Sequence, residues 1–515
     1  MKKYIYTILG IALIAMISCT NLDEIPYSQI PKSEFFSSEA MLSSYAARPY
    51  TLLQRWGREQ SMWTMIMQLS NEVAVPKSYN GSWGEVRYSE LQKHIIPSSN
   101  KLVRMSWLFC FDGIAACNDV IHEVSNSGDI NETKQKIIAE MKLLRAYYYY
   151  LAVDCWGNVP YAVDKSLSDY PEQKGRDFFF NFLESEIKDN IDYLDDYAAN
   201  KYGRVTKDMA NFLLAKLYMS SKDWTGTEMW ADAGKLVKGI MDSGNYALTD
   251  NYNDNFKVHN ETSTEAIFAI PYSSIFTKEA FYPFAITLNS DLEGIWGIGD
   301  TWNGTFMGQP DFMASYETGD TRKEDSWLFG QVYDLNGNKW FYTAPDADGN
   351  QVKHNYFVED INIPESKYSN GLGRTDGARI IKWTYQTDGM LTSYNVSMEN
   401  DFILFRYSDA VLMYVECLLR QNKVAEASLI PEFMTIRTRA GLLPFTADNL
   451  NLNSFFIERA HEMAIEGWER QDLIRFGKYL DAWWCKPAGI ENYLLLPIPD
   501  QIMAANPKLT QNPGY

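Results

Sequence analysis

The chain has 515 residues and a formal net charge of −19, from 47 Lys and Arg against 66 Asp and Glu. A chain this acidic repels a phosphate backbone, which argues against a nucleic-acid partner. Hydrophobic residues at 46% and charged residues at 22% exclude global disorder, and a chain of this length buries roughly 75% of its unfolded surface without disulfide staples.

The N-terminus reads as a sorting signal. Lys2 and Lys3 precede a 13-residue apolar core from Ile5 to Ile17, too short to span about 30 Å of hydrocarbon but suited to a signal peptide. Met16-Ile17-Ser18-Cys19 follows. A small residue before a cysteine at the end of such a core resembles a bacterial lipobox, which implies cleavage before Cys19 and lipidation of its thiol. Asp23 and Glu24 resemble the surface-export signal of Bacteroidetes lipoproteins. Residues 1–18 are therefore expected to be a signal peptide and 19–36 a lipidated lead, with acyl chains anchoring the body to a membrane.

Helical periodicity begins after the lead. Helices are expected over residues 41–56, 101–124, 178–194, 206–220 and 227–242. In another helix Ile137, Met141, Leu144, Tyr148 and Leu151 step by 4, 3, 4 and 3 and mark one buried stripe. Tyr147 to Tyr150 cover a full turn there, so some of them are expected to face away from it. Residues 37–264 thus read as a helical scaffold. From 265 to 400 the character changes to an irregular, loop-rich insert. Ala266 to Ile270 read as a short buried strand, and Asn336-Gly337 and Asp348-Gly349 are hairpin signals. Trp296, Trp302, Trp327, Trp340 and Trp383 cluster among Gly, Asn and Asp. Helical pattern returns over 401–515, with helices expected at 402–420, 431–439, 454–466 and 471–480.

Five cysteines remain after Cys19: 110, 117, 155, 417 and 485. Cys110 and Cys117 lie two helical turns apart, about 10 Å, too far for a disulfide, and buried free thiols are expected. No CxxC occurs, and the five histidines are scattered, so no metal site is expected. His461-Glu462 lacks the second His of a zincin, since position 465 is Ile. Gly371, Gly373 and Gly377 follow no strong strand, which removes a nucleotide fingerprint. No cofactor is expected.

Read as a set, the blocks along the chain resemble the SusD/RagB family of outer-membrane glycan-binding lipoproteins. The blocks are Ser70-Asn71-Glu72-Val73 through Pro76-Lys77 and Trp83; Trp107, Ile114 and Asn118 to Ile121; Leu144 to Tyr147 with Trp156 to Pro160; and Arg204 to Lys207. Arg406 to Asp409 and Leu412 to Glu416 follow. The tail is the most specific: Glu458-Arg459, Glu462, Glu466-Gly467, Asp472-Leu473, Arg475 to Gly477, Leu496 to Pro499, and Asn506-Pro507 to Asn512-Pro513-Gly514-Tyr515. Asn71 and Lys77 depart from the Asp and Arg more common at those positions. The resemblance implies a mostly α fold of tetratricopeptide-like helix pairs with an irregular insert of short strands. It also implies no catalysis, a place on the cell surface, and delivery of oligosaccharide to a SusC-like TonB-dependent transporter.

Carbohydrate recognition needs aromatic faces for the C–H faces of sugar rings and planar polar groups for the hydroxyls. Trp83, in the turn-like Asn80-Gly81-Ser82-Trp83-Gly84, is the leading stacking candidate. Asn71, Glu72 and Lys77 are hydrogen-bonding candidates, and Glu72 and Lys77 otherwise read as surface ion-pair residues. Trp296 and Trp302 flank Gly297 to Asp300 as further platforms, and Arg379 and Tyr407 are expected to reach the same face. Arg459, Glu462, Glu466, Arg470, Asp472 and Arg475 interleave on helical spacing and read as a buried ion-pair scaffold. Two other functions remain open. A glycoside hydrolase would need two carboxylates roughly 5–9.5 Å apart in a cleft. A structural or adhesive surface protein would need no small ligand.

Overall fold

The computed structural model describes residues 38–58, 60–76, 85–164, 170–197, 202–273, 275–277, 288, 290–297, 306–383 and 398–515. Its body is built from helix pairs. Lys101–Ser125 and Glu132–Trp156 pack together as the longest pair. Each starts on an asparagine that satisfies orphan amides: Asn100 Oδ1 accepts from the amides of Leu102 and Val103, and Asn131 Oδ1 accepts from that of Lys134. The two helices interlock through Gly113. A Cβ there would lie 2.4 Å from Cζ of Tyr148, so only glycine admits the tyrosine ring.

All four residues Tyr147 to Tyr150 are buried, so those that face away from the stripe pack against other elements. Tyr147 meets Phe405, Tyr148 meets Phe109, Tyr149 meets Phe179 and Tyr150 meets Trp224. The helix is surrounded, so every side of its second half needs bulk rather than one stripe.

Arg176–Lys188 packs on this pair, and Lys207–Met219 pairs with Trp230–Asp242. Trp230–Asp242 then packs on Tyr407–Arg420 from the C-terminal part of the chain. A Cβ added to Gly234 at that contact would lie 3.2 Å from Cβ of Cys417. Cys110, Cys117, Cys155 and Cys417 are buried free thiols, and Cys485 is a half-buried one.

The stretch between residues 265 and 400 leaves and re-enters this body through two adjacent strands. Ala266–Ile270 pairs antiparallel with Phe402–Arg406, with Phe402 opposite Ile270 and Arg406 opposite Ala266. The sequence reading continued the C-terminal helix back to 402; instead Phe402–Arg406 is strand and the helix starts at Tyr407. Five consecutive buried residues carry no period, so helix and strand are indistinguishable there by pattern alone. Both hairpin signals turn where expected. Gly337 and Gly349 adopt φ of +80° and +85°, and the second turn joins Phe341–Pro345 to Gln351–Asn355.

The tail charges form a buried network. Arg406 contacts Glu466 at 2.8 Å, Glu462 at 2.8 Å and Glu265 at 3.1 Å. Arg439 bridges Glu265 and Glu462, each at 2.6 Å. Arg459 joins Asp409 to Asp472, Arg475 joins Glu416 to Asp472, and Arg470 reaches Asp154. Burial pushes the Glu462 carboxyl up, but Arg439, Arg406 and Arg322 outweigh it and hold the group at about 2. Such a network stitches the insert, through Glu265, to the C-terminal helices, and each buried charge is paired.

Candidate functional site

The ligand-facing candidates separate once placed. Lys77, Trp83, Trp302 and the lipidation candidate Cys19 lie outside the described residues. The strand Val73–Ala74 pairs antiparallel with Met307–Gly308, Val73 opposite Gly308 and Ala74 opposite Met307. On one side of this pair the described chain stops at Pro76, and on the other it begins at Phe306, the first described residue after Trp302. Phe306 in turn meets Tyr88 edge-on at 5.1 Å, on the helix that follows Trp83.

Glu72 is not at the surface, contrary to its reading as a sugar ligand or surface ion-pair residue. It is 1% exposed; Oε1 accepts from the amide of Ile465 at 2.6 Å and Oε2 from the Ser70 hydroxyl at 3.1 Å. Burial pushes its carboxyl up to about 7. The amide of Gln309 donates to the Glu72 carbonyl at 2.9 Å. Arg379 and Tyr407 are likewise buried, so neither offers a side chain to solvent as expected. Arg379 donates to the Asp376 carbonyl at 2.9 Å, and Tyr407 sits in the main core with its amide on the Glu265 carbonyl at 2.8 Å. Asn71 is half-buried beside Gln309. With the Gln309 amide nitrogen facing the Asn71 carbonyl at 3.3 Å, its oxygen accepts from Trp483 Nε1 at 3.1 Å.

Trp296 is half-buried and ends the short helix Glu293–Trp296, which Gly297 terminates at φ +67°. Beside it the structure builds a patch that sequence reasoning did not assemble. Trp340 lies against this helix, because Gly294 has no side chain: a Cβ there would be 2.9 Å from Cη2 of the indole. Trp340 Nε1 donates to the Asp291 carbonyl at 2.8 Å, which fixes the ring plane. Asp291 also accepts from Arg374 Nη1 at 2.5 Å, and the Arg374 guanidinium lies 5.5 Å from the centre of the Tyr342 ring. Tyr342 stacks on His354 across the hairpin at 5.2 Å, and Tyr356 anchors the group from below, its hydroxyl donating to the Arg374 carbonyl at 2.8 Å.

Trp296, Trp340, Tyr342, Asp291 and Arg374 are all half-buried. The arrangement offers aromatic surface in fixed orientation with a guanidinium–carboxylate pair in its midst. Such a surface suits ring faces bordered by hydroxyls. The signal that could have found it was the spacing of the two Asx–Gly turns, which bracket Trp340 and Tyr342 on one hairpin.

The family model described as SusD family matches residues 220–515, and one described as starch-binding associating with outer membrane matches residues 21–219. The chain belongs to the SusD family. The starch-binding protein SusD of Bacteroides thetaiotaomicron is 26% identical over 458 residues, covering 81% of this chain and 79% of that protein. A SusD-like protein of Bacteroides ovatus is 24% identical over 496 residues, covering 93% and 83%. Among solved structures, surface glycan-binding protein A from Bacteroides thetaiotaomicron superposes with a TM-score of 0.74 at 21% identity, over 93% of this chain and 100% of that one. The same-named protein in complex with laminarihexaose superposes at 0.72, with 21% identity, over 92% and 99%. The fold is thus mostly α, with tetratricopeptide-like helix pairs, as the resemblance implied.

Proposed function

We propose that this chain is a non-catalytic, lipid-anchored surface protein that binds an oligo- or polysaccharide and hands it to a SusC-like TonB-dependent transporter in the outer membrane. The observation that carries the reading is the half-buried patch of Trp296, Trp340 and Tyr342 around the Arg374–Asp291 pair. Membership of a family with starch- and glycan-binding members supports the ligand class. Trp83, Lys77 and Trp302 are proposed to extend the site, since the strand that leads to Lys77 and Trp83 pairs with the strand that follows Trp302. Asn71 is proposed to contribute from the flank. The lipobox at Cys19 supports the anchor, and the family resemblance supports the transporter.

A hydrolase needs a protonated carboxylic acid that reaches the glycosidic oxygen. Among the described carboxyls, burial pushes Glu72 and Asp401 up to about 7 and about 6, and also raises Glu469, Asp223 and Asp325. Glu72, Asp401 and Glu469 are buried in the body, and none of the five belongs to the aromatic patch, which favours binding over turnover. Affinity electrophoresis against starch, laminarin, xylan and fructan, with reducing-sugar release measured in parallel, tests the reading. Retardation by at least one polysaccharide without release is expected; release above background contradicts it, as does failure of every polysaccharide. Purification from outer membranes tests the rest: the transporter is expected to co-purify, and its absence contradicts the delivery step.

A further inference from the structure

A cavity of about 280 Å³ opens beside the start of the helix Lys207–Met219, against the turn that follows Trp230–Asp242 and the strand Ala266–Ile270. It shares no residue with the aromatic patch, and its volume lies near the lower end for small-molecule sites. Three tyrosines line it. Tyr246 is buried with its hydroxyl donating to Asp208 Oδ2 at 3.1 Å, which locks the ring. Tyr197 is 43% exposed and meets Tyr246 edge-to-face, with ring centres 5.1 Å apart. Tyr202 is the third.

The polar groups of the lining leave a specific remainder. Asn245 uses its Nδ2 on Asp208 at 3.3 Å, which leaves Oδ1 as an acceptor. Thr264 Oγ1 donates to the Ala247 carbonyl at 2.9 Å and keeps its lone pairs. Thr206 Oγ1 accepts from the Met209 amide at 3.3 Å as a helix cap, so its O–H remains to donate. The exposed Glu261 adds a carboxylate. Among the described residues that line the cavity there is no Lys, Arg or His. These residues offer an anionic ligand no counter-charge and set the Glu261 carboxylate beside it. Acceptor-rich walls with aromatic faces match a ligand that is rich in O–H donors and carries apolar C–H faces.

We propose that this cavity is a second binding site, for one or two residues of an uncharged saccharide. The inference stands apart from the aromatic patch, and the test separates the two. Isothermal titration of the purified protein uses maltose, laminaribiose and xylobiose as neutral probes, glucose 6-phosphate as an anionic probe and choline as a cationic one. Trp340→Ala removes the patch; Thr262→Trp, at an exposed rim position, plugs the cavity; Tyr197→Ala removes an exposed wall. In the Trp340→Ala background at least one neutral disaccharide is expected to bind, and either cavity substitution is expected to weaken that binding at least tenfold with an unchanged melting temperature. Glucose 6-phosphate and choline are expected not to bind. The proposal is overturned if no neutral probe binds in the Trp340→Ala background, if the binding there ignores Thr262→Trp, or if choline is the preferred probe. If Trp340→Ala leaves wild-type affinity intact while Thr262→Trp abolishes it, the patch reading fails and the cavity stands.

Discussion

The carboxylate of Glu72 holds the amide of Ile465 at 2.6 Å, joining positions 393 residues apart in the chain. Ile465 has φ of +68°, a region that a β-branched residue enters at a cost of about 1–3 kcal/mol. Three buried bonds hold the turn in place: Glu72 on the Ile465 amide, Trp63 Nε1 on the Ile465 carbonyl at 2.8 Å, and Lys382 Nζ on the Ala464 carbonyl at 2.6 Å. Glu72 immediately precedes the strand that leads toward Trp83, so its buried role is to seat that strand against the C-terminal network.

This placement makes a pH prediction. Burial raises the Glu72 carboxyl from 4.5 to about 7, with Glu469 and Asp472 close by and Lys382 opposing. The folded state holds the proton more tightly than the unfolded chain. Its contribution is therefore full below pH 4.5 and is lost as pH rises to about 7, on the order of 3 kcal/mol in all. Glu72→Gln keeps an acceptor for the Ile465 amide and cannot ionise. Urea unfolding should find the variant more stable than wild type at pH 8 and no more stable at pH 4.5. An identical pH slope in the two proteins would contradict the assignment.

Arg406 is fully buried among Glu265, Glu462 and Glu466. Arg406→Met leaves these carboxylates without their shared partner and should cost about 3–5 kcal/mol in chemical denaturation. A cost under about 1 kcal/mol would show that the network is not a scaffold.

Gly113→Ala places a methyl group 2.4 Å from the Tyr148 ring. Overpacking of this kind costs about 1–3 kcal/mol, despite the better helix propensity of alanine. A lowered melting temperature is expected, and its recovery in Gly113→Ala/Tyr148→Leu would confirm the contact.

Gly294→Ala is the corresponding change at the patch. The added methyl would lie 2.9 Å from Trp340 and should tilt the indole. Roughly tenfold weaker glycan binding is expected, with little change in melting temperature because position 294 is exposed. Unchanged affinity would remove Trp340 from the site.

The cysteines test the anchor. Burial pushes the thiols of Cys155 and Cys485 up to about 12, so slow reaction with Ellman's reagent is expected in the native protein. After denaturation, protein purified from membranes should release five thiols if Cys19 carries lipid, and six if it does not.

Much of the scaffold was legible because its signals are local. Pro431–Arg439 and Ala266–Ile270 occur with the bounds their patterns indicate, and Thr206 caps the helix that follows it. The interleaved tail charges read correctly as a buried network, since alternating signs at helical spacing need partners. What escaped depends on contacts far apart in sequence. Phe402–Arg406 is strand because Ala266–Ile270 lies beside it. Glu72 is buried because a turn near residue 465 needs its carboxylate, and no local pattern at 70–77 records that need. Trp340 lies against the helix Glu293–Trp296 only because Gly294 makes room.

The most direct test of the central claim is isothermal titration of maltoheptaose and laminarihexaose into wild-type protein and Trp340→Ala. Binding of at least one oligosaccharide is predicted, weakened roughly thirtyfold by the substitution, equivalent to about 2 kcal/mol, with the melting temperature unchanged and no reducing sugar released. Equal affinity in the two proteins, or oligosaccharide turnover by the wild type, would contradict the account.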